Sequence, residues 1–241
     1  MAIQMRVTDG RSGRAVPLPG RPGAELLVGV GPGDDPGGLW AARALVVADT
    51  LARAADAIGR RRVRLLLAGP PLGAEAEKRL RALADSLWTA PPAGDAEAEP
   101  LDLRVAASAE GSDVPVLVVG EVDAQAAVPA DAQVLRLALL SAPHDAATEL
   151  TEHHLEVADN LLARWRERVA EWARHPSRPV PESVAGRAQA ALAEGLDAPA
   201  LLRLAREVEG DEQLPPGARF EAFASFDRLL ALDLMRGLGS A

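Results

Sequence analysis

Residues 25–33 read ELLVGVGPG and residues 39–58 read LWAARALVVADTLARAADAI. Glu25 to Val30 is a short apolar run that ends in Gly31-Pro32-Gly33, the pattern of a buried strand entering a loop. The second stretch places Leu39, Ala42, Val46, Asp49 and Arg53 at helical spacing and stops at Gly59. The alternation then continues. Val63 to Ala68 predicts a second strand, residues 74–88 a second amphipathic helix, and Leu101–Ala106 and Val114–Val119 two further strands. Strands that are apolar throughout and alternate with helices are those of a parallel sheet buried on both faces. Residues 1–130 are therefore expected to form a Rossmann-like α/β domain. Residues 90–100 (APPAGDAEAEP) read as a mobile Pro/Ala/acidic loop.

From Asp131 onward no strand pattern is visible. Residues 131–141, 151–173, 181–195, 198–209 and 217–235 read as helices. Thr151 is an expected N-cap, and Leu155, Leu161 or Leu162, Trp165, Val169 and Trp172 form the apolar stripe of the long helix that follows. The segment 176–181 (PSRPVP) separates two helices, and Pro215-Pro216 starts the last. Residues 131–241 are expected to be an all-α helical bundle.

A length of 241 residues allows one large domain or two small ones. Twenty-six basic against 35 acidic side chains give a net charge of −9, which argues against a free-standing nucleic-acid binder. The absence of cysteine removes disulfides, thiol catalysis and any thiolate zinc site. Lys78 is the single lysine, so a mechanism that needs two from this chain is excluded. The opening MAIQMRVTDGRSGR lacks the apolar core of a signal peptide, and no apolar run approaches the roughly 18–20 residues that span a bilayer. A cytoplasmic protein with no membrane partner is expected.

Most apparent motifs have plain structural readings. Gly29-Val-Gly31-Pro-Gly33 follows a strand, but the third glycine of a dinucleotide loop falls on Asp34. Asp34 and Asp35 place negative charge where a phosphate would sit. His153 and His154 are adjacent, so on a helix they point about 100° apart and cannot readily share one metal ion. His144 beside Asp145 reads as a surface contact, and Arg60-Arg61-Arg62 as a solvated turn. Ser108, Ser112 and Ser141 have no nearby histidine and no nucleophile-elbow context, and Asp211-Glu212 is solvated charge. Phe220, Phe223 and Phe226 are expected in the core.

Four segments carry a resemblance. They are Asp131–Ser141 (DAQVLRLALLS), Thr151–Val157 (TEHHLEV), Leu192–Pro199 (LAEGLDAP) and Phe226–Leu234 (FDRLLALDL). In order and spacing they resemble the cysteinyl-tRNA synthetases, class I enzymes whose corresponding stretches read VLRxxLLS, SEExLEx, LDDDLNTP and FDRVLGLDL. The likeness covers roughly 131–236. Toward the amino terminus, Gly29-Val-Gly31-Pro32 stands where that family has VCGP, and Ala42–Arg53 where it has its first helix.

The departures fall on the chemistry. The family's first zinc-ligand cysteine falls on Val30, and its HIGH signature on Gly38-Leu39-Trp40-Ala41, which has no histidine. Trp40 replaces the glycine that lets adenosine approach, so it either fills that space or faces the core. The KMSKS loop is replaced by Glu121–Ala130, and no lysine follows Lys78. The long middle insertion has no room, and the anticodon-reading module is expected to be absent. The mycothiol cysteine ligases also lack that module but keep the signatures.

The resemblance therefore implies a catalytically inactive relative, a pseudoenzyme that binds a protein partner or a small ligand. No cofactor is expected: ATP is disfavoured and zinc excluded. Its apolar partner surface would lie on the bundle or on the helix bearing Trp88. The alternative is a divergent ligase, or a nucleotide- or amino-acid-binding enzyme, reusing the pocket at the carboxy ends of the strands. Gly31, Asp34, Gly38, Arg43 and Glu121 would line it, with Arg43 for an anion and Asp34 and Glu121 for an amine or ribose. A tRNA-binding accessory role ranks last, because residues 143–241 hold 17 acidic and 11 basic side chains.

Overall fold

The computed structural model describes residues 4–20, 24–94 and 99–238; residues 95–98, within the loop expected to be mobile, lie outside the described residues. An antiparallel hairpin, β1 (Arg6–Asp9) and β2 (Arg14–Pro17), opens the chain. There follow β3 (Leu26–Val30), α1 (Leu39–Ala57), β4 (Val63–Leu67), α2 (Ala74–Ser86), β5 (Leu103–Ala106), β6 (Val116–Val118) and β7 (Val122–Ala124). The rest is α3 (Ala132–Leu140), β8 (Thr148–Leu150), α4 (Glu152–Trp172), α5 (Glu182–Ala193), α6 (Ala198–Gly210) and α7 (Pro216–Leu230). The chain is an α/β protein: a Rossmann-like parallel sheet followed by helices.

The sheet runs β4-β3-β5-β6, all parallel. Leaving β3, the chain crosses to β4 through α1 and returns through α2 to β5 on the other side. This reversal opens a crevice between the carboxy ends of β3 and β5, where ligands of open α/β sheets bind. Residues 107–115 join β5 to β6 without a helix, and the opening hairpin packs at β6. Gly10 N–H donates to the Val116 carbonyl (2.8 Å), and Val116 N–H donates to Asp9 Oδ1 (3.1 Å). The bonds that Asp9 accepts from Arg11 hold its carboxyl below the ordinary range, against the opposing effect of burial.

α1 is apolar nearly all round because it is covered nearly all round. It packs on the sheet and also on α3 and α7. The segments 1–130 and 131–241 thereby meet in one continuous apolar core, running from Val28 and Val105 through Val46 and Leu51 to Val134, Trp165 and Phe226. Phe223 lies at its far end, edge-on to Trp165 (5.6 Å between centroids) and Trp172 (5.1 Å). Phe220 packs against the same core, as expected for the phenylalanine cluster.

Polar groups fix how these layers dock. Arg136 of α3 is fully buried. Its Nε donates to the Leu230 carbonyl (2.6 Å), its Nη1 to the Leu87 carbonyl (3.0 Å) and its Nη2 to Asp49 of α1. Asp49 also accepts from Arg53 Nε (2.7 Å), and Arg53 reaches the carbonyls of Trp88 and Arg228. Thus α1, α3 and the carboxy ends of α2 and α7 are tied at one point. Asp131 caps α3 through the Gln133 N–H (3.0 Å) and pairs with Arg166 and Arg236 (2.9 Å each). Burial would raise its carboxyl; the bonds from Arg166 and Gln133 and the two positive charges outweigh burial and leave it low.

The structure corrects several sequence expectations. β8 lies where no strand was expected, paired in parallel with β7. It has three residues, of which only Leu150 is buried, too short to show alternation. α7 stops at Leu230 rather than 235. Ala231 turns left-handed (φ 50°), and the Asp227 carboxylate accepts the N–H groups of Leu232 (2.9 Å) and Leu234 (3.1 Å). α2 ends at Ser86, so Trp88 lies beyond it, left-handed (φ 56°) and 51% exposed. Arg61 is buried and donates to the Pro19 carbonyl instead of facing solvent. Thr151 caps α4 as expected, and His154 joins it in a capping box.

Replacing Arg136 with Met should lower unfolding stability by about 3–5 kcal/mol, because Asp49 would keep a buried charge without its main partner. Arg53→Ala, at a half-exposed partner, should cost about 1 kcal/mol or less. Urea denaturation monitored by circular dichroism checks both; equal costs would contradict the assignment of Arg136 as the tie.

Candidate binding cleft

A cleft of 720 Å³ lies at the carboxy ends of β3 and β5, with Gly33, Asp34, Trp40, Ala107 and Glu121 among its walls. Its floor begins where β3 ends. Gly31 N–H still donates to the Val105 carbonyl (3.1 Å), so the chain leaves the sheet only at Pro32. Gly33 then takes φ +69°, and a Cβ there would stand 2.7 Å from Cε3 of Trp40. The missing side chain lets the indole lie against the loop.

Trp40 lies in the first turn of α1, half-buried, and its Nε1 donates to the Val119 carbonyl (3.3 Å). The ring thus does both things left open by the sequence: it packs against the core and forms one wall of the cleft. Gly38 precedes α1 in extended conformation without a side-chain cap. Asp35 organises the turn before it. Its carboxylate accepts the Gly37 N–H (3.1 Å) and Arg79 Nη1 (3.3 Å), and its carbonyl accepts the Gly38 N–H (2.9 Å).

The five residues expected at this pocket fall in three places. Asp34, Gly38 and Glu121 line it, with Asp34 and Glu121 exposed. Gly31 lies at the strand end just before the lining. Arg43 lies behind the wall and is fully buried. Its Nη1 donates to the carbonyls of Gly120 and Glu121 (3.0 Å each) and its Nη2 to that of Pro143 (2.7 Å). Burial draws its pKa below the ordinary value, and the charge of Asp145 partly offsets that. The guanidinium expected to meet an anion is instead committed to backbone carbonyls.

Arg43 also explains why residues 119–121 and 143–147 lie so close. Gly120 N–H donates to the His144 carbonyl (2.8 Å), and a Cβ on Gly120 would stand 2.2 Å from the Ala146 carbonyl oxygen. The surface contact expected between His144 and Asp145 is not what holds His144: its Nδ1 bonds the Val118 carbonyl at 2.8 Å. Asp35, read in the sequence as negative charge beside Asp34, joins the lining, as do Ala107 and Val122, which no sequence motif marks. Ala107 and Val122 follow β5 and β6, whose carboxy ends also face this side of the sheet.

The lining carries three carboxylates, Asp34, Asp35 and Glu121, and no Lys or Arg. Class I amino-acid activation requires cations and donors around the ATP phosphates. These residues do not fit a triphosphate. The start of α1 is no better, because Asp34 and Asp35 sit where the helix dipole would favour an anion. Among the described residues, no three His, Asp or Glu side chains gather as metal ligands. No described helix is long and apolar enough to cross a membrane. No family model matches the chain, and no curated protein matches it.

Arg43→Met should remove three hydrogen bonds and leave the Gly120 carbonyl without a donor, while the carbonyls of Glu121 and Pro143 keep the N–H groups of Thr148 and Ala146. The protein should lose roughly 1–3 kcal/mol, the scale for one unsatisfied group. Chemical denaturation measures this. A variant as stable as the parent would show that the guanidinium does not hold the cleft wall.

Proposed function

We propose that the chain is a non-catalytic relative of the cysteinyl-tRNA synthetases, which uses the inherited crevice and bundle for binding rather than for amino-acid activation. The observation that carries this reading is the charge of the switch-point cleft. It lies where open α/β sheets bind ligands, and its lining presents Asp34, Asp35 and Glu121 and no Lys or Arg. Among the described residues Asp35 alone of the three pairs with a cation, Arg79 from outside the lining. Carboxylates beside the half-buried Trp40 suit an amine- or hydroxyl-bearing small molecule and repel phosphates.

The four segments that carry the resemblance support the reading through what they do here. Arg136, Thr151, Asp197 and Asp227 come from these segments, and each one ties or caps a helix. A chain that retains these and lacks the histidines and lysines of the reaction keeps a scaffold. A cytoplasmic location and a protein or small-molecule partner are parts of the same proposal. tRNA is disfavoured by the net charge of −9.

Pyrophosphate exchange into ATP, assayed with each proteinogenic amino acid in turn, should stay at the level of the enzyme-free control. Exchange above that control with any one of them would overturn the proposal and favour a divergent ligase.

A further inference from the structure

A second pocket, of 510 Å³, lies on the helical half, between the end of α3, β8, α4 and α6. It shares no lining residue with the switch-point cleft. Its inner wall is aliphatic: Leu137 of α3, Leu150 of β8, and Ala158 and Leu161 of α4, all buried. Val157 stands at the mouth and is 46% exposed, a large apolar side chain that no neighbour covers.

The mouth also carries two opposite charges that do not meet. Arg206, on α6, makes no hydrogen bond or ion pair among the described residues. The carboxylate of Glu149, on β8, has none either. Their elements are fixed by separate contacts, α6 against α5 and α7, and β8 against β7. Among the described residues no ion pair joins the two side chains, which start from different elements. The remaining polar groups are mostly committed. Ser141 Oγ donates to the Leu137 carbonyl (2.8 Å), and His154 belongs to the α4 cap. His153, exposed on the first turn of α4, retains a free ring N–H.

A cation and an anion held apart over an aliphatic wall are complementary to a molecule that carries both charges and an apolar side chain. We propose that this pocket binds a free aliphatic α-amino acid. The ligand's carboxylate pairs with the Arg206 guanidinium, with His153 as a further donor. Its ammonium pairs with Glu149, and its side chain lies on the Leu137–Leu150–Leu161 wall beside Val157. Each charged contact is a charge-assisted hydrogen bond to a group that has no protein partner to lose.

Calorimetry on the full chain with L-leucine, leucinamide and N-acetyl-L-leucine tests this. L-leucine should bind, and each analogue, lacking one charge, should bind at least about tenfold more weakly. Arg206→Gln should weaken L-leucine and N-acetyl-L-leucine by about tenfold or more and leave leucinamide unchanged; Glu149→Gln should weaken L-leucine and leucinamide by as much and leave N-acetyl-L-leucine unchanged. Both side chains are exposed, and matching thermal melts would show that the variants fold. Equal affinity for all three compounds, indifference to both substitutions, or no L-leucine binding at about 10 mM would overturn the proposal. So would a response that survives both variants but is lost in Asp34→Asn, which would put the ligand in the switch-point cleft instead.

Discussion

The Arg136–Asp49 pair is the constraint around which the rest of the structure is arranged. Asp49 lies in the middle of a mostly apolar, buried helix, and Arg136 in the middle of another. Two charges in such surroundings are tolerated only when nearly every donor and acceptor is used. Arg136 meets that condition by reaching Asp49 and the carbonyls of Leu87 and Leu230 together. These groups come from α1, α3 and the ends of α2 and α7. Satisfying one side chain therefore fixes the relative position of the sheet-covering helices and the bundle. The apolar contacts supply most of the driving force and little direction; the guanidinium supplies direction.

Arg43 repeats the device on a smaller scale. It converges on three carbonyls and draws the residues after β6 toward the loop after α3. The short parallel ribbon β7–β8 lies beside this contact, with Thr148 N–H donating to the Glu121 carbonyl at 2.9 Å. Both pockets border that ribbon, the cleft through Val122 and Ala124 and the bundle pocket through Thr148 and Leu150. The core arginines hold walls, and the exposed carboxylates and Arg206 are left to meet ligands.

The main elements were legible in the sequence because they are long or continuously apolar. ELLVGV and VRLLLA are short apolar runs bounded by turn residues, which reads as strands, and Leu161, Trp165, Val169 and Trp172 recur at the helical period. What escaped notice was set by tertiary contact. β8 exists because β7 lies beside it. The end of α7 is decided by the Asp227 carboxylate folding back on two N–H groups. Arg61 is buried by a carbonyl more than 40 residues away in the chain. At the cleft, Asp34, Gly38 and Glu121 could be placed from strand ends alone, since a parallel sheet directs the loops after its strands to one side. Arg43 differs from these: its helical position brings it near the cleft, but its side chain reaches carbonyls that no local pattern announces. The zwitterion pocket has no signal in the sequence, because Glu149 and Arg206 are separated by about half of the helical segment.

Under the proposed function, the switch-point cleft binds without phosphates, because its lining carries carboxylates and no Lys or Arg. Fold alone does not decide function, so the claim rests on Asp34, Asp35, Glu121 and Trp40. Calorimetric titration of the purified chain with ATP and with a non-hydrolysable cysteinyl-adenylate analogue addresses it directly. The account predicts no saturable heat at ligand concentrations of about 1 mM or above. Sub-millimolar binding of either nucleotide would contradict it and show that the site still accepts the substrates of a synthetase.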